Sequence, residues 1–270
     1  MPIFEQRRPP QASRGFTLIE MSIVLVIIGL IVGGILKGQE IVNAAREKQV
    51  ITQLNAVRTA QNTYIDRHGL YPGDDTRGNF VAFAAANGNG DGFVGATIAA
   101  TPAATITAMK ANSIDPTKEE GSYFITLLGE QLISNAVLPL ATTSISAGAF
   151  GVERKSFLPN TAFPNTGLGI SAGQHPGDTG RDPASALVKG SNWLAIWSSV
   201  YTNGGGVSIR QAGHIDTALD DAIPDTGIVR GDDSTCNSAK ANGYDGGATV
   251  AATTDVSNPT CVLLINMGPN

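Results

Sequence analysis

The sequence predicts an α+β fold in which one long N-terminal helix, apolar in its first half, packs on a loop-rich head with an antiparallel sheet. Residues 16–36 form an apolar run whose single ionisable side chain is Glu20. Beyond this run, apolar residues recur at helical spacing as far as Tyr64. From residue 69 onwards glycine, alanine, threonine and asparagine dominate, and short apolar runs of the kind found in strands appear between them.

The apolar run of 21 residues is long enough to cross a bilayer as a helix. Residues 1–15, in contrast, are a short polar leader without the apolar core of a secretory signal peptide. A carboxylate at the centre of a membrane helix costs roughly 2.5–3.5 kcal/mol, and less near an end. Glu20 therefore calls for either a position at the membrane surface or a positively charged partner.

The string GFTLIE at residues 15–20, which follows Arg14, resembles the processing site of type IV pilins and pseudopilins. The resemblance implies that a prepilin peptidase cleaves between Gly15 and Phe16 and that the new amino group of Phe16 is methylated. It also implies that Glu20 pairs with the N-terminus of a neighbouring subunit, so that each buried charge is compensated only in the assembled filament. The implied domains are a leader (1–15), a long helix (16–68) and a head (69–270).

The resemblance further implies a structural function, with no enzymatic activity and no required cofactor. The expected partners are copies of the chain in a helical filament, the peptidase and an inner-membrane assembly platform. The precursor is expected in a bacterial inner membrane with its head outside the cytoplasm, and the product in a surface filament or a periplasmic pseudopilus. Major pilins typically have a proline where this chain has Lys37. A type II secretion pseudopilin and a minor, tip-located pilin with an adhesive head therefore stay as alternatives.

Four glycines in the apolar helix are spaced as two GxxxG pairs, Gly29 with Gly33 and Gly34 with Gly38. Such pairs let helices approach closely in an apolar bundle, although each glycine also weakens the helix. We therefore predict helix packing through these positions, with glycines that are merely tolerated as the alternative.

In the head, residues 121–136 are predicted to form a helix and residues 142–190 to be irregular. Trp193, Trp197 and Tyr201 form an aromatic stripe in a segment that is compatible with a helix or a strand. Core packing is the preferred interpretation of this stripe, and a sugar-binding surface is the alternative. A short helical face follows at residues 209–219, and a final strand is predicted at residues 261–265.

Cys236 and Cys261 are the two cysteines of the chain. An even pair in an exported protein predicts a disulfide in an oxidising compartment. The net charge of −5 becomes more negative by two when the leader, with three arginines and one glutamate, is removed. Such an acidic body disfavours nucleic acid as a partner.

Four carboxylates lie within ten residues, at Asp216, Asp220, Asp221 and Asp225. Helix caps and solvated turns are the preferred interpretation, and calcium, which binds six to eight oxygen ligands and is the natural cation outside the cytoplasm, is the alternative. Residues 87–92 resemble the first half of a calcium loop, but Ile98 stands where the loop needs a glutamate. This second segment is therefore interpreted as a tight loop.

One pattern that superficially indicates catalysis is rejected. Residues 169–173 spell GISAG, yet the prolines and glycines around them do not allow the strand–turn–helix that a serine nucleophile elbow requires. The three histidines, His68, His175 and His214, lie far apart in the sequence, so a membrane-anchored enzyme, the third alternative, would need a site built from distant residues.

Overall fold

The computed structural model describes residues 15–77, 88–95, 118–134, 159–164, 166–173, 191–198, 205–223, 227–231, 236 and 261–268. The chain divides into two compact units, residues 1–45 and 46–270. A long N-terminal helix and an antiparallel four-stranded sheet confirm the α+β class. The predicted leader lies outside the described residues except for Gly15.

Helix α1 spans Leu18–His68, close to the predicted 16–68. Its second half buries one face, because apolar side chains recur every three or four residues and so lie on the same side of the helix. Val50, Leu54, Val57 and Tyr64 are all buried there. The helix stops where Gly69 takes a φ of 74°, a left-handed conformation that glycine adopts without strain.

Helix α2 spans Glu119–Gly129 and is shorter than the predicted 121–136. The chain leaves the helix because Gln131 adopts a φ of 58°, and the amide of Leu132 turns back to the carbonyl of Leu127. Leu132 and Ile133, which the helical pattern had placed on α2, lie after this turn and still pack against the core. Residues 135 and 136 of the prediction lie outside the described part of the chain.

Four strands form the sheet: β1 (Thr166–Gly173), β2 (Ser191–Ser198), β3 (Val229–Gly231) and β4 (Leu263–Asn266). Their order is β1-β2-β4-β3, and every neighbouring pair is antiparallel. The prediction that residues 142–190 are irregular was wrong for β1. Leu168, Ile170 and Ala172 alternate as a buried apolar face, and the intervening glycines do not prevent an extended backbone.

The aromatic segment is a strand, because β2 pairs with β1 on one side and with β4 on the other. Trp193 and Trp197 are only 3% and 2% exposed, which favours core packing over a binding surface. Tyr201, the third aromatic residue of the stripe, lies outside the described residues. The predicted last strand is present and begins two residues later than expected, at Leu263.

Helix α3 spans Ile209–Leu219, as predicted. It starts with a capping box in which the Ser208 hydroxyl accepts from the Gln211 amide and the Gln211 side chain accepts from the Ser208 amide. Ile209, Ala212 and Ile215 face inwards. They join one hydrophobic cluster with the buried faces of α1, α2 and the sheet.

Candidate functional site

The start of α1 is closed by Thr17 and Glu20. The carboxylate of Glu20 accepts hydrogen bonds from the backbone amide of Thr17 at 2.8 Å and from its hydroxyl at 2.9 Å. The hydroxyl in turn accepts from the Glu20 amide at 3.3 Å. This is a capping box, which satisfies amides that have no partner within the helix. The T-x-x-E pattern was visible in the sequence, but the predictions considered Glu20 only as a charge.

The first half of α1 exposes its apolar side chains on all sides. Every residue from 15 to 37 is exposed, including Phe16 at 80% and Leu18 at 91%. By length and composition this is the one helix in the described part of the chain that can cross a membrane. A continuous apolar surface of this kind needs a bilayer or other apolar helices around it.

Three of the four glycines lie in this exposed segment, and Gly38 directly follows it. A Cβ built at Gly29, Gly33, Gly34 or Gly38 meets no atom within 4 Å. Nothing in the single chain therefore requires glycine at these positions. A packing role for them depends on a second helix that comes close to α1.

Lys37 continues the helix where major pilins typically have proline. Its ammonium group lies 2.6 Å from the carboxylate of Glu40. Both side chains are about 70% exposed, at 71% and 69%, so water screens the pair and it adds little stability. The pair nevertheless neutralises the first cation that follows the apolar run.

Comparison with known families gives one result, and it falls on this segment. The match is to the family described as the prokaryotic N-terminal methylation motif, over residues 10–36. The chain carries that motif. It is the signal motif of type IV pilins and pseudopilins, and it spans the predicted cleavage site between Gly15 and Phe16. No curated protein and no solved structure matches the chain.

The methylation motif has general implications that the fold supports. It indicates a pilin-like or pseudopilin precursor, processing by a prepilin peptidase and polymerisation of the pilin type. Together with the apolar half of α1 it fits a precursor anchored in a membrane. It also indicates a structural rather than an enzymatic protein.

The described residues that resemble catalytic groups are either buried in a strand or paired with a carboxylate. Ser171 of the GISAG string lies inside β1 and is 1% exposed, so it is not at the exposed turn that a nucleophile elbow requires. His68 contacts Glu130 at 3.3 Å, and His214 contacts Glu47 at 3.1 Å. His175 lies outside the described residues.

Three of the four candidate calcium ligands come together after α3. Carboxylate oxygens of Asp216, Asp220 and Asp221 lie within 4.8 Å of one another, whereas Asp225 is outside the described residues. Asp216 accepts from the Ala222 amide, and Asp220 accepts from the amide of Val229 at 3.3 Å and from that of Ile228. Asp221 accepts from the Ile223 amide at 2.9 Å, so all three carboxylates have a structural role, and calcium binding stays a prediction. Unfolding with calcium and with a chelator would test it.

The two cysteines form the predicted disulfide. Cys236 and Cys261 are both fully buried, and their Cα atoms lie 4.3 Å apart. Cys261 lies two residues before β4, and its amide and carbonyl pair with Val207. The disulfide therefore ties a distant part of the chain to the centre of the sheet.

Two buried carboxylates hold the glycine-rich loop, residues 88–95, and sequence reasoning missed them. Asp74 accepts from the amides of Gly90 at 2.7 Å and Gly92 at 2.8 Å. Glu119 accepts from the amides of Asn89 and Gly95, at 3.0 and 2.8 Å. Burial raises the pKa of Asp74 and of Glu119 despite these bonds. The loop donates its backbone amides to these carboxylates, whereas a calcium loop supplies oxygen ligands to the ion.

Proposed function

We propose that this chain is the precursor of a structural subunit that polymerises into a type IV pilus or a related extracellular filament. The methylation motif at residues 10–36 carries the proposal, because it specifies both the cleavage and the class of assembly. The fully exposed apolar half of α1 supports it. That segment serves as a membrane anchor before assembly and as the filament core afterwards.

In this proposal, cleavage before Phe16 leaves a methylated, positively charged amino group next to an apolar surface. Glu20 of a neighbouring copy pairs with it, since a buried charge without a partner is costly. The open space beside Gly29, Gly33, Gly34 and Gly38 lets the helices approach closely enough for this pairing. The Glu20 carboxylate and the amino group of Phe16 are then both paired only when identical subunits assemble.

The decisive experiment compares Glu20→Gln with Glu20→Ala. Glutamine keeps an acceptor for the capping box but removes the charge, whereas alanine removes both. If pairing with an N-terminus is the role of Glu20, both variants are cleaved before Phe16 and both lose most sheared filament, by roughly tenfold or more, given the 1–3 kcal/mol or larger cost of an unpaired buried charge.

Mass spectrometry of the N-terminus measures processing, and the protein in the sheared fraction measures assembly. Wild-type filament yield from Glu20→Gln would show that the residue acts through the helix cap and not through its charge. Retention of Met1 and the whole leader in the native filament would remove the proposed processing altogether.

A type II secretion pseudopilin is the second candidate, and the region around Lys37 favours it. Helix α1 runs through this position without a break, and Lys37 pairs with Glu40 instead of interrupting the helix. Deletion of the gene would then abolish secretion of extracellular enzymes and leave surface filaments intact. The opposite pattern would favour the pilus.

A further inference from the structure

One exposed apolar side chain on the head has no evident reason to be there. Outside residues 16–42, Ile223 is the one large hydrophobic residue that is exposed in the described part of the chain, at 40%. It lies in the turn after α3, four residues beyond Leu219. An isolated exposed apolar residue is common, so its significance depends on how it is held and on what it can contact.

The backbone holds Ile223 in a defined position. Ala222, directly before it, has a φ of 65°, a left-handed conformation that is uncommon and costly for a residue with a side chain. The amide of Ala222 donates to the buried Asp216 at 3.2 Å, and the amide of Ile223 donates to Asp221 at 2.9 Å. Asp220 accepts from the backbone amides of Ile228 and Val229, which connects the turn to β3. The turn is therefore strained and anchored, and it presents Ile223 to solvent.

The head also has an apolar pocket of about 150 Å³. Its walls come from α1, from the segment after α2 and from β1, through Val57, Leu132, Ile133 and Leu168. A cavity of about 150 Å³ lined by aliphatic side chains is large enough to bind a benzene molecule, and the side chain of isoleucine is smaller than that. At the pocket wall, the buried side-chain oxygen of Gln53 accepts no hydrogen bond within the described residues.

The exposed Ile223 side chain, called the knob below, and the pocket are connected to opposite edge strands of the sheet. Leu168 belongs to β1, which is one edge strand, and Ile223 lies in the turn connected to β3, the other edge strand. Three strand spacings of about 4.8 Å separate those edges. One copy therefore presents the knob at the edge that is opposite to its own pocket, where a second copy can receive it.

The charges around the two features are also complementary. Ile223 follows an acidic turn that contains Asp220 and Asp221. Arg46 lies two helical turns before Gln53 on the same face of α1, since seven residues complete almost two turns. Among the described residues Arg46 forms no ion pair. An acidic turn docked at the pocket would meet this arginine.

We infer that Ile223 of one copy inserts into the Val57–Leu132–Ile133–Leu168 pocket of the next copy. The inference deepens the proposed function, on which it rests, by naming a contact between heads. Two different patches meet, so the contact is heterologous. A heterologous contact that does not close into a ring repeats along an open polymer.

Disulfide trapping in the full-length chain tests this contact. Ala56 is exposed on α1 and lines the pocket, and Asn55 is its exposed neighbour that does not. The native cysteines stay in place, because both are fully buried. We expect the chain with Ala56→Cys and Ile223→Cys to give a ladder of multimers on a non-reducing gel after oxidation of intact cells. The chain with Asn55→Cys and Ile223→Cys should give at least tenfold less.

Mixing copies distinguishes this contact from a symmetric one. Two differently tagged chains, one with Ala56→Cys and one with Ile223→Cys, should form dimers of one of each kind. Dimers of two Ile223→Cys copies, equal trapping at Asn55, or no trapping at all would overturn the inference.

Filament recovery from the native chain reports on the proposed function separately. If native filaments were abundant but the Ala56–Ile223 crosslink did not form, the proposed function would be supported and the proposed contact would be refuted. Without native filaments the proposed function would fail, whereas the trapping result would still decide whether the contact forms. As a check independent of cysteines, Ile223→Asp should lower filament yield several-fold and Ile223→Leu should preserve it.

Discussion

At the scale of single residues, the backbone conformation and the neighbouring atoms at position 73 require glycine. Its φ is 85°, and a Cβ placed on it would lie 2.5 Å from the carbonyl oxygen of Glu119. Both a left-handed backbone and a clash with backbone atoms therefore oppose any side chain. Gly92 has a similar φ of 89°, but a Cβ there would meet no atom within 4 Å.

We predict that Gly73→Ala destabilises the head clearly more than Gly92→Ala. The left-handed conformation alone costs of order 1–3 kcal/mol for a residue with a side chain, and the two variants share this cost. The clash with α2 adds to it only at Gly73. Chemical unfolding of the full-length chain would measure the difference, and equal losses in the two variants would contradict the structure.

Sequence reasoning at this scale recognised charges better than hydrogen bonds. Glu20 was identified as an unusual carboxylate, but its capping of α1 through Thr17 was not. Asp74 was not singled out at all, because its partners Gly90 and Gly92 are 16 and 18 residues away. Only the fold brings such a carboxylate to the amides that it binds.

At the scale of elements, the C-terminal end of α1 is closed by a small polar network. The hydroxyl of Tyr64 donates to Asp75 at 2.8 Å. Arg77 donates twice to the same carboxylate with its side chain and once to the carbonyl of His68 in the last turn of the helix. Burial raises the pKa of Asp75, but the hydrogen bonds from Arg77 and Tyr64 outweigh burial and lower it to about 2.

We predict that this network stabilises the head in a pH-dependent way. The pKa of Asp75 in the folded chain lies below the ~3.9 of an unfolded aspartate. Its stabilisation is therefore present above about pH 4 and is lost as the pH falls towards 2. Because Arg77 is 44% exposed and water screens the pair, Asp75→Asn should lower the free energy of unfolding by only about 1–2 kcal/mol at pH 7.

The matched control is Asp66→Asn, at an exposed position of α1. Chemical unfolding at pH 7 and at pH 2.5 would measure both variants. An Asp75→Asn loss that is the same at both pH values would show that the carboxylate contributes nothing through its charge.

The helices were easier to predict than the strands, for a physical reason. Helices α1 and α3 follow a local apolar period, and α1 ends at a local signal, Gly69. The end of α2 depended on the left-handed Gln131, which no pattern of side chains reveals. Strand β1 contains Gly167, Gly169 and Gly173, and its stability comes from its pairing with β2, which is distant in the sequence.

At the scale of the whole molecule, the disulfide joins two cysteines 25 residues apart and closes a loop that ends just before the last strand. In the chain-entropy description, such a bond stabilises the fold by about 3 kcal/mol, because it restricts the unfolded chain. We predict that replacing both Cys236 and Cys261 by alanine lowers the free energy of unfolding by roughly this amount. Reduction of the native chain is the matched control, and it should reproduce most of the loss. Unchanged stability in both cases would contradict a structural role for the bond.

The sequence predicted the overall plan of the molecule because that plan depends on contiguous features. The apolar run, the helical period after it and the methylation motif are all read along the chain. The calcium prediction used the same logic and placed Asp216, Asp220 and Asp221 together correctly. All three accept backbone amides, as the interpretation by helix caps and turns expects, but the donors Ile228 and Val229 reach Asp220 only through the fold.

The hydroxyl of Thr17 gives the carboxylate of Glu20 a neutral resting partner inside its own subunit. On assembly, Glu20 would exchange this hydroxyl for a neighbour's amino group, and we expect the hydroxyl to stabilise the carboxylate while the subunit is unassembled, since a buried charge without hydrogen bonds is costly. Thr17→Val should then shorten the lifetime of the unassembled pool in a pulse-chase measurement, and Thr17→Ser should not. If the valine variant persisted as long as the native chain, the Thr17 hydroxyl would not be needed to stabilise the Glu20 carboxylate before assembly.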